Sequence, residues 1–105
     1  MARMKLYSIA LPVRDNDGNL YHFAHARWQQ CALFLAGGYT EFPPAHGNWR
    51  NPASGQVYRE EMIEYRVATT APIWEKLVAI AFSEFFDQLA LFTAEIGEAN
   101  IRNRD

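Results

Sequence analysis

Between Tyr39 and Arg66 the chain interleaves the aromatic residues Tyr39, Trp49 and Tyr58 with the arginines Arg50, Arg59 and Arg66. Flat rings offer faces on which a nucleobase stacks, and a guanidinium is a rigid fork of donors matched to phosphate or carboxylate. Each stack is worth about 1–3 kcal/mol, so two stacks and one bidentate arginine suffice for binding in the micromolar range or tighter. These six residues are therefore the candidate ligand-binding set, and the ligand they fit is a small nucleotide-like anion, for example a cyclic nucleotide. The plainer alternative is structural: Trp49 plugs the edge of the core, the arginines pair with Glu41, Glu61 or Glu95, and the glycines serve tight turns.

The other reactive side chains do not assemble into a centre. His22 and His25 stand one helical turn apart, but no Asp, Glu or Cys joins them at ligand spacing and structural zinc takes four ligands, so the pair is read as a solvated helix face. His46 lies in a proline-glycine loop and is assigned to local hydrogen bonding. Cys31 falls mid-helix on an apolar stripe, and Ser54 sits in a turn with no histidine near it in sequence; nucleophilic catalysis needs an adjacent base. Glu60 and Glu61 point to opposite faces of a strand, while Glu60 and Glu64 share a face suited to pairing with Arg66. Gly37-Gly38 is followed by Tyr-Thr rather than by a helix start, which excludes the phosphate-cradling glycine loops. The expectation is a binding protein more than an enzyme, with no catalytic residue, metal or cofactor assigned.

The elements that must position these residues are legible from periodicity. Tyr7, Ile9, Leu11 and Val13 alternate as in a strand with one buried face. Arg14–Asn19 has turn composition. From Leu20 to Leu35 the residues Leu20, Ala24, Trp28, Cys31 and Leu35 recur at helical steps, with Phe23 and Phe34 widening the stripe, and Gly37-Gly38 ends the helix. Tyr39–Arg50 is an irregular second strand, because Pro43 and Pro44 remove ladder donors and confine it to an edge, bulge or loop. After the turn Asn51–Gly55, a third strand carries Val57, Ile63, Tyr65 and Val67 on one face and Tyr58, Glu60, Met62, Glu64 and Arg66 on the other. Thr-Thr-Ala-Pro opens a second helix with Ile73, Leu77, Ile80, Ala81 and Phe85 inward and Trp74, Val78 and Phe82 beside them. A last strand is placed at Leu89–Ile96, since an unbroken helix would exceed globular lengths.

Strand, helix, strand, strand, helix, strand is the ferredoxin-like α+β order: a four-stranded antiparallel sheet with two helices on one face, here as one domain over residues 1–105. Its other face would expose Leu6, Ala10, Tyr58, Met62 and Phe92, so a homodimer or higher homo-oligomer is expected. Composition agrees with a folded chain: half the residues are hydrophobic and 14% are aromatic, outside the regime of disorder. A formal charge of -2 gives no general attraction to duplex nucleic acid. The single cysteine and the short apolar N-terminal run that ends at Pro12 agree with a cytoplasmic protein that makes no membrane contact.

The stretches GGYTEFPPAHGNW, SGQVYREEMIEYRV and FDQLALFTAEIGEANI resemble a group of small uncharacterised phage and bacterial proteins, through a Gly-Gly-Tyr-Thr, Gly-x-Trp, Gly-x-x-Tyr pattern. The resemblance runs from about Tyr7 to Ile101 and implies the same ferredoxin-like topology. It also implies a phage origin, a host-cytoplasm location and, by analogy with small phage proteins that sequester signalling nucleotides, an anti-defence role. Two other readings stand beside it. One is an interaction module that binds a host protein through its open sheet face; the other is a dimeric ferredoxin-like enzyme with His46 or Tyr65 as acid or base.

Overall fold

A computed structural model describes residues 3–104 of the 105-residue chain. The first strand, β1 (Lys5–Pro12), is followed by a tight turn and by helix α1 (His22–Ala36). In the turn, Asp15 Oδ1 accepts the backbone N–H groups of Asp17 and Asn19 at 2.9 and 2.8 Å, and Gly18 takes φ 85°. An aspartate that folds back on its own backbone in this way is the reason such sequences turn. Helix α1 stops at Gly37, whose φ of 85° lets its N–H reach the carbonyl of Leu33.

The irregular second strand consists of two pieces, β2 (Thr40–Glu41) and β3 (Ala45–Arg50), both along the same edge of β4 (Val57–Thr69). Glu41 pairs with Tyr65 and Ala45 with Met62, so three residues of the edge oppose two of β4. That extra residue is a bulge at Pro43-Pro44, where the chain has no N–H to give the ladder. A turn closes the β3–β4 hairpin: Asn51 Oδ1 accepts the N–H of Ala53 at 2.8 Å, and Gly55 adopts φ 75°. Helix α2 (Ala71–Glu84) begins with Pro72 in its first turn, and β5 (Phe92–Glu98) pairs antiparallel with β1. The last strand thus starts three residues later than the hydrophobic pattern predicts, and Leu89 is fully exposed.

The sheet order β2/β3–β4–β1–β5, all antiparallel, with α1 and α2 on one face, is ferredoxin-like. Between sheet and helices lie Tyr7, Ile9, Leu11, Tyr65 and Val67 from the strands, and Trp28, Ala32, Trp74, Leu77, Ala81 and Phe85 from the helical side. Tyr7 stacks on Trp74 at 4.9 Å between centroids, and the Trp28 indole N–H donates to the Leu77 carbonyl at 3.0 Å. Ala24 and Trp28 of the expected α1 stripe enter this core and Cys31 and Leu35 pack against it, but the stripe widens towards His25 and not towards the phenylalanines. His25 is buried, while Leu20, Phe23 and Phe34 are exposed by 61%, 70% and 88%.

The β3–β4 hairpin runs past the helical layer, giving extents of 53 × 27 × 23 Å. The Cα radius of gyration, 14.9 Å, exceeds the roughly 13 Å of a compact domain of this length. Among the described residues, no helix packs on β3, so the hairpin stands as an arm.

Candidate functional site

Register assigns every candidate side chain to a face, because successive strand residues alternate. Trp49 pairs with Tyr58 across the hairpin, on the sheet face away from the helices, which Met62, Glu64 and Arg66 also occupy. Their rings stack on each other, 4.6 Å apart with planes 21° off parallel, so each ring spends one face on its neighbour. Arg50 and Arg59, next in sequence to those rings, lie on the opposite face of the arm. Tyr39 turns into the core, 6.4 Å from Trp28 and 5.7 Å from Tyr65. Arg66 is eight residues from Tyr58 along β4, about 26 Å at the rise of a strand. A single subunit therefore does not bring the six residues around one ligand.

What the open face does form is a groove of about 510 Å3 over β1, β4 and β5. Ala10, Ala45, Met62, Phe92 and Ala94 make it apolar, and Phe42 and Pro43 of the bulge wall one side. One polar cluster sits in it. Glu64 Oε2 accepts the Ser8 hydroxyl at 2.6 Å and the Arg66 Nε–H at 3.0 Å, and the Arg66 guanidinium lies 4.7 Å over the Phe42 ring. The Ser8 hydrogen bond, assisted by Arg66, holds the Glu64 carboxyl below its ordinary value, so Glu64 is a fixed negative charge beside a fixed positive one. Glu64 takes Nε alone, which leaves the outer fork of Arg66 uncommitted beside the Glu64 and Phe42 that line the groove. His46 lines the groove rather than standing alone in a loop. Ser8 and Phe42 were not among the sequence candidates, and alternation in β1, with the prolines bending Phe42 over the face, is the signal that locates them; Glu64 makes the pairing with Arg66 expected of it.

A second, smaller hollow of about 270 Å3 lies on the helix side, between α1 and the edge of β4. His25 reaches it from the buried face of α1, correcting the solvated-histidine reading. One ring nitrogen, Nε2, is 2.8 Å from the Pro12 carbonyl, and Nδ1 is 2.8 Å from the Tyr65 hydroxyl. A carbonyl only accepts, so Nε2 carries the proton, Nδ1 accepts from Tyr65, and the Tyr65 oxygen accepts the Gln29 amide N–H at 2.8 Å. Burial holds His25 below its ordinary value and pushes Tyr65 up to about 12, so both stay neutral near pH 7. Among the described residues, no group of three or more His, Cys, Asp or Glu is arranged to hold a metal ion, and no helix is long and apolar enough to cross a membrane.

The lowered His25 value fixes a pH dependence. Below about pH 6.5 the unfolded chain binds a proton that folded His25 refuses, so stability falls as pH drops through this window. Glu41, which favours the charged form, and His22, which opposes it, face the ring but do not reverse the direction. The urea midpoint is expected to fall from about pH 7.5 to about pH 5.5 in the wild type, with a clearly shallower fall in His25→Gln. Equal slopes would show that His25 is not the linked group.

No family model matches the chain, and no curated protein matches it. Solved structures do. CutA1 from Oryza sativa aligns with TM-score 0.70 at 10% identity over 96% of this chain and 84% of that one. The divalent cation tolerance protein CutA1 from Thermus thermophilus aligns with TM-score 0.64 at 16% identity, over 92% of this chain and 87% of that one. A Bacillus cereus protein related to NIF3 aligns with TM-score 0.69 at 11% identity over 94% of this chain, which spans only 26% of that protein. At these identities the likeness shows a shared ferredoxin-like fold.

Proposed function

We propose that the chain is a non-enzymatic, homo-oligomeric protein that binds a small anionic, nucleotide-like molecule in the open-face groove. The observation that carries this reading is an apolar groove lined by Ser8 and Glu64, with Arg66 held beside it by Glu64 and over the Phe42 ring. Its charged fork is held still and one wall is aromatic, an arrangement suited to one phosphate or carboxylate and one flat ring. The Trp49–Tyr58 pair lies further along the arm on the same face, two residues beyond Gly47 of the groove, where a second copy would bring it into a shared site, and Arg50 and Arg59 line the reverse side of that arm. The apolar area left open on the sheet favours the same assembly. Among neighbours of this fold is a CutA complexed with a Bis-Tris molecule, a small-molecule complex of a protein of similar size. Sequestration of a signalling nucleotide by a phage-encoded copy in a host cytoplasm is the finer form of the proposal, and it rests on the resemblance of the three quoted stretches. An enzyme with Tyr65 as acid or base is the weaker reading, since a phenol pushed up to about 12 is poorly matched to neutral pH.

A thermal-shift screen with mononucleotides and cyclic dinucleotides tests the proposal. The melting temperature of the wild type should rise with ligand concentration, by the equivalent of about 2.7 kcal/mol at one hundred times Kd. Arg66→Ala should lose the rise, whereas Tyr39→Phe, altered only within the core, should keep it. If no nucleotide moves the wild-type curve, the reading fails.

A further inference from the structure

The hollow between α1 and the edge of β4 is chemically the reverse of the open groove. Its hydrogen bonds have a fixed direction: Gln29 donates to Tyr65, Tyr65 donates to His25, and His25 donates to the Pro12 carbonyl. Every donor in that chain points inward. The Gln29 amide nitrogen is committed to Tyr65 on one side and, at 3.4 Å, leans towards Glu41 Oε1 on the other. With both amide hydrogens so directed, the Gln29 carbonyl oxygen is left as an acceptor on a side chain that lines the hollow together with Glu41. Amide flipping does not reverse this, because the Tyr65 hydroxyl proton is already given to His25. Around these acceptors the hollow is lined by the apolar Val13, Leu20, Ala26 and Ile63 and, on the α1 side, by His22. Leu20 is 61% exposed there although it belongs to the hydrophobic pattern of the sequence.

We propose that this hollow is a binding site for a small organic cation, a primary ammonium with a short branched apolar body. The ammonium donates to the Glu41 carboxylate and the Gln29 carbonyl oxygen, and the hydrocarbon covers Leu20, Val13 and Ile63. A volume of about 270 Å3 is below the roughly 300–1,000 Å3 of pockets for drug-sized ligands, so the ligand is smaller than those. An anion is disfavoured by the same geometry, since the Glu41 carboxylate lines the hollow, no Lys or Arg does, and the relay donors are already committed, which leaves His22 as the one ring donor in the lining. The inference is independent of the open-face groove: it concerns other residues, the opposite ligand charge and the other face of the sheet.

The test is a two-dimensional amide NMR titration with 3-methylbutylammonium, repeated with 3-methylbutanoate as a probe of the same shape and opposite charge. Saturable shifts confined to the neighbourhood of Ala26, Gln29 and Glu41 are expected with the ammonium and none with the carboxylate. Glu41→Gln, a change at an exposed edge, should weaken ammonium binding at least about ten-fold, and Ala26→Leu, which fills the hollow without touching a polar group, should abolish it. Equal response to both probes, an unchanged affinity in Glu41→Gln, or no saturable shift in the wild type would each overturn the assignment. Loss of nucleotide binding in the open groove would leave it standing.

Discussion

Trp28→Ala is expected to lose about 3–5 kcal/mol of stability, the cost of removing a large ring from a site that cannot collapse around the gap. Trp28 is fully buried and is held on all sides: its ring lies 4.8 Å from that of Tyr65 and 6.4 Å from that of Tyr39, and its N–H meets the Leu77 carbonyl. It joins both helices to the sheet, so neither layer can move inward alone. The Leu77 carbonyl still lies within α2 and keeps its helical partner, so the loss comes mainly from the cavity rather than from an orphaned acceptor. For a domain whose whole stability is about 5–15 kcal/mol, this is a large fraction. Thermal melting should record a drop of more than roughly 12 °C. Phe34→Ala on the same helix should stay within about 0.5 kcal/mol of the monomer's stability, because Phe34 is exposed. Comparable losses for the two variants would mean that α1 presents a different face to the sheet.

That contrast also shows what the sequence could and could not disclose. Period-two alternation located β1 and β4 because the residues at the centre of their inner face, Ile9, Leu11, Tyr65 and Val67, are buried and largely apolar. The orientation of α1 was less legible. Phe23 and Phe34 are the more hydrophobic residues, yet His25 and Ala32 are buried. His25 goes inward because both of its ring nitrogens find partners, Pro12 and Tyr65, that only the folded sheet supplies. The late start of β5 has a similar cause. Asp87 accepts the backbone N–H of Asn16 at 2.8 Å and the Tyr21 hydroxyl, which fastens the segment after α2 to the first turn and delays pairing until Phe92. Such ties link residues some seventy positions apart and leave no local pattern.

The division of the candidate site was legible in principle. The alternation that separates Glu60 from Glu61 separates Tyr58 from Arg59 and Trp49 from Arg50 just as firmly. Composition grouped these residues as one cluster, whereas the pleat assigns them to two surfaces. The groove that replaces the cluster depends on a bulge, and a proline pair announces that a ladder breaks without saying which side chain, here Phe42, bends over the face.

The open sheet face itself leads to the second large effect. In Met62→Glu the proposed homo-oligomer should dissociate, with Kd raised by about two to three orders of magnitude. Met62 lies mid-face, between the arm and the groove, with its sulfur close enough to Gly47 that a Cβ there would sit 3.3 Å away. A carboxylate at that place would be buried beneath a second subunit without a partner, at about 3–5 kcal/mol. Glu60 and Glu64 stand two residues away on the same face, so a new carboxylate at position 62 would join two others there. Met62→Leu keeps volume and polarity and should leave assembly intact. Sedimentation equilibrium distinguishes the three proteins directly: the wild type and Met62→Leu sediment as oligomers at concentrations where Met62→Glu is a single subunit of unchanged secondary structure. The arm explains why the effect should fall on association rather than on folding. Trp49, Tyr58 and Met62 project from a hairpin that no helix of the same chain covers, so a charge among them meets only water until another copy arrives. A wild type that sediments as one subunit at high concentration, or a Met62→Glu variant that assembles as well as the wild type, would remove the second copy from the site.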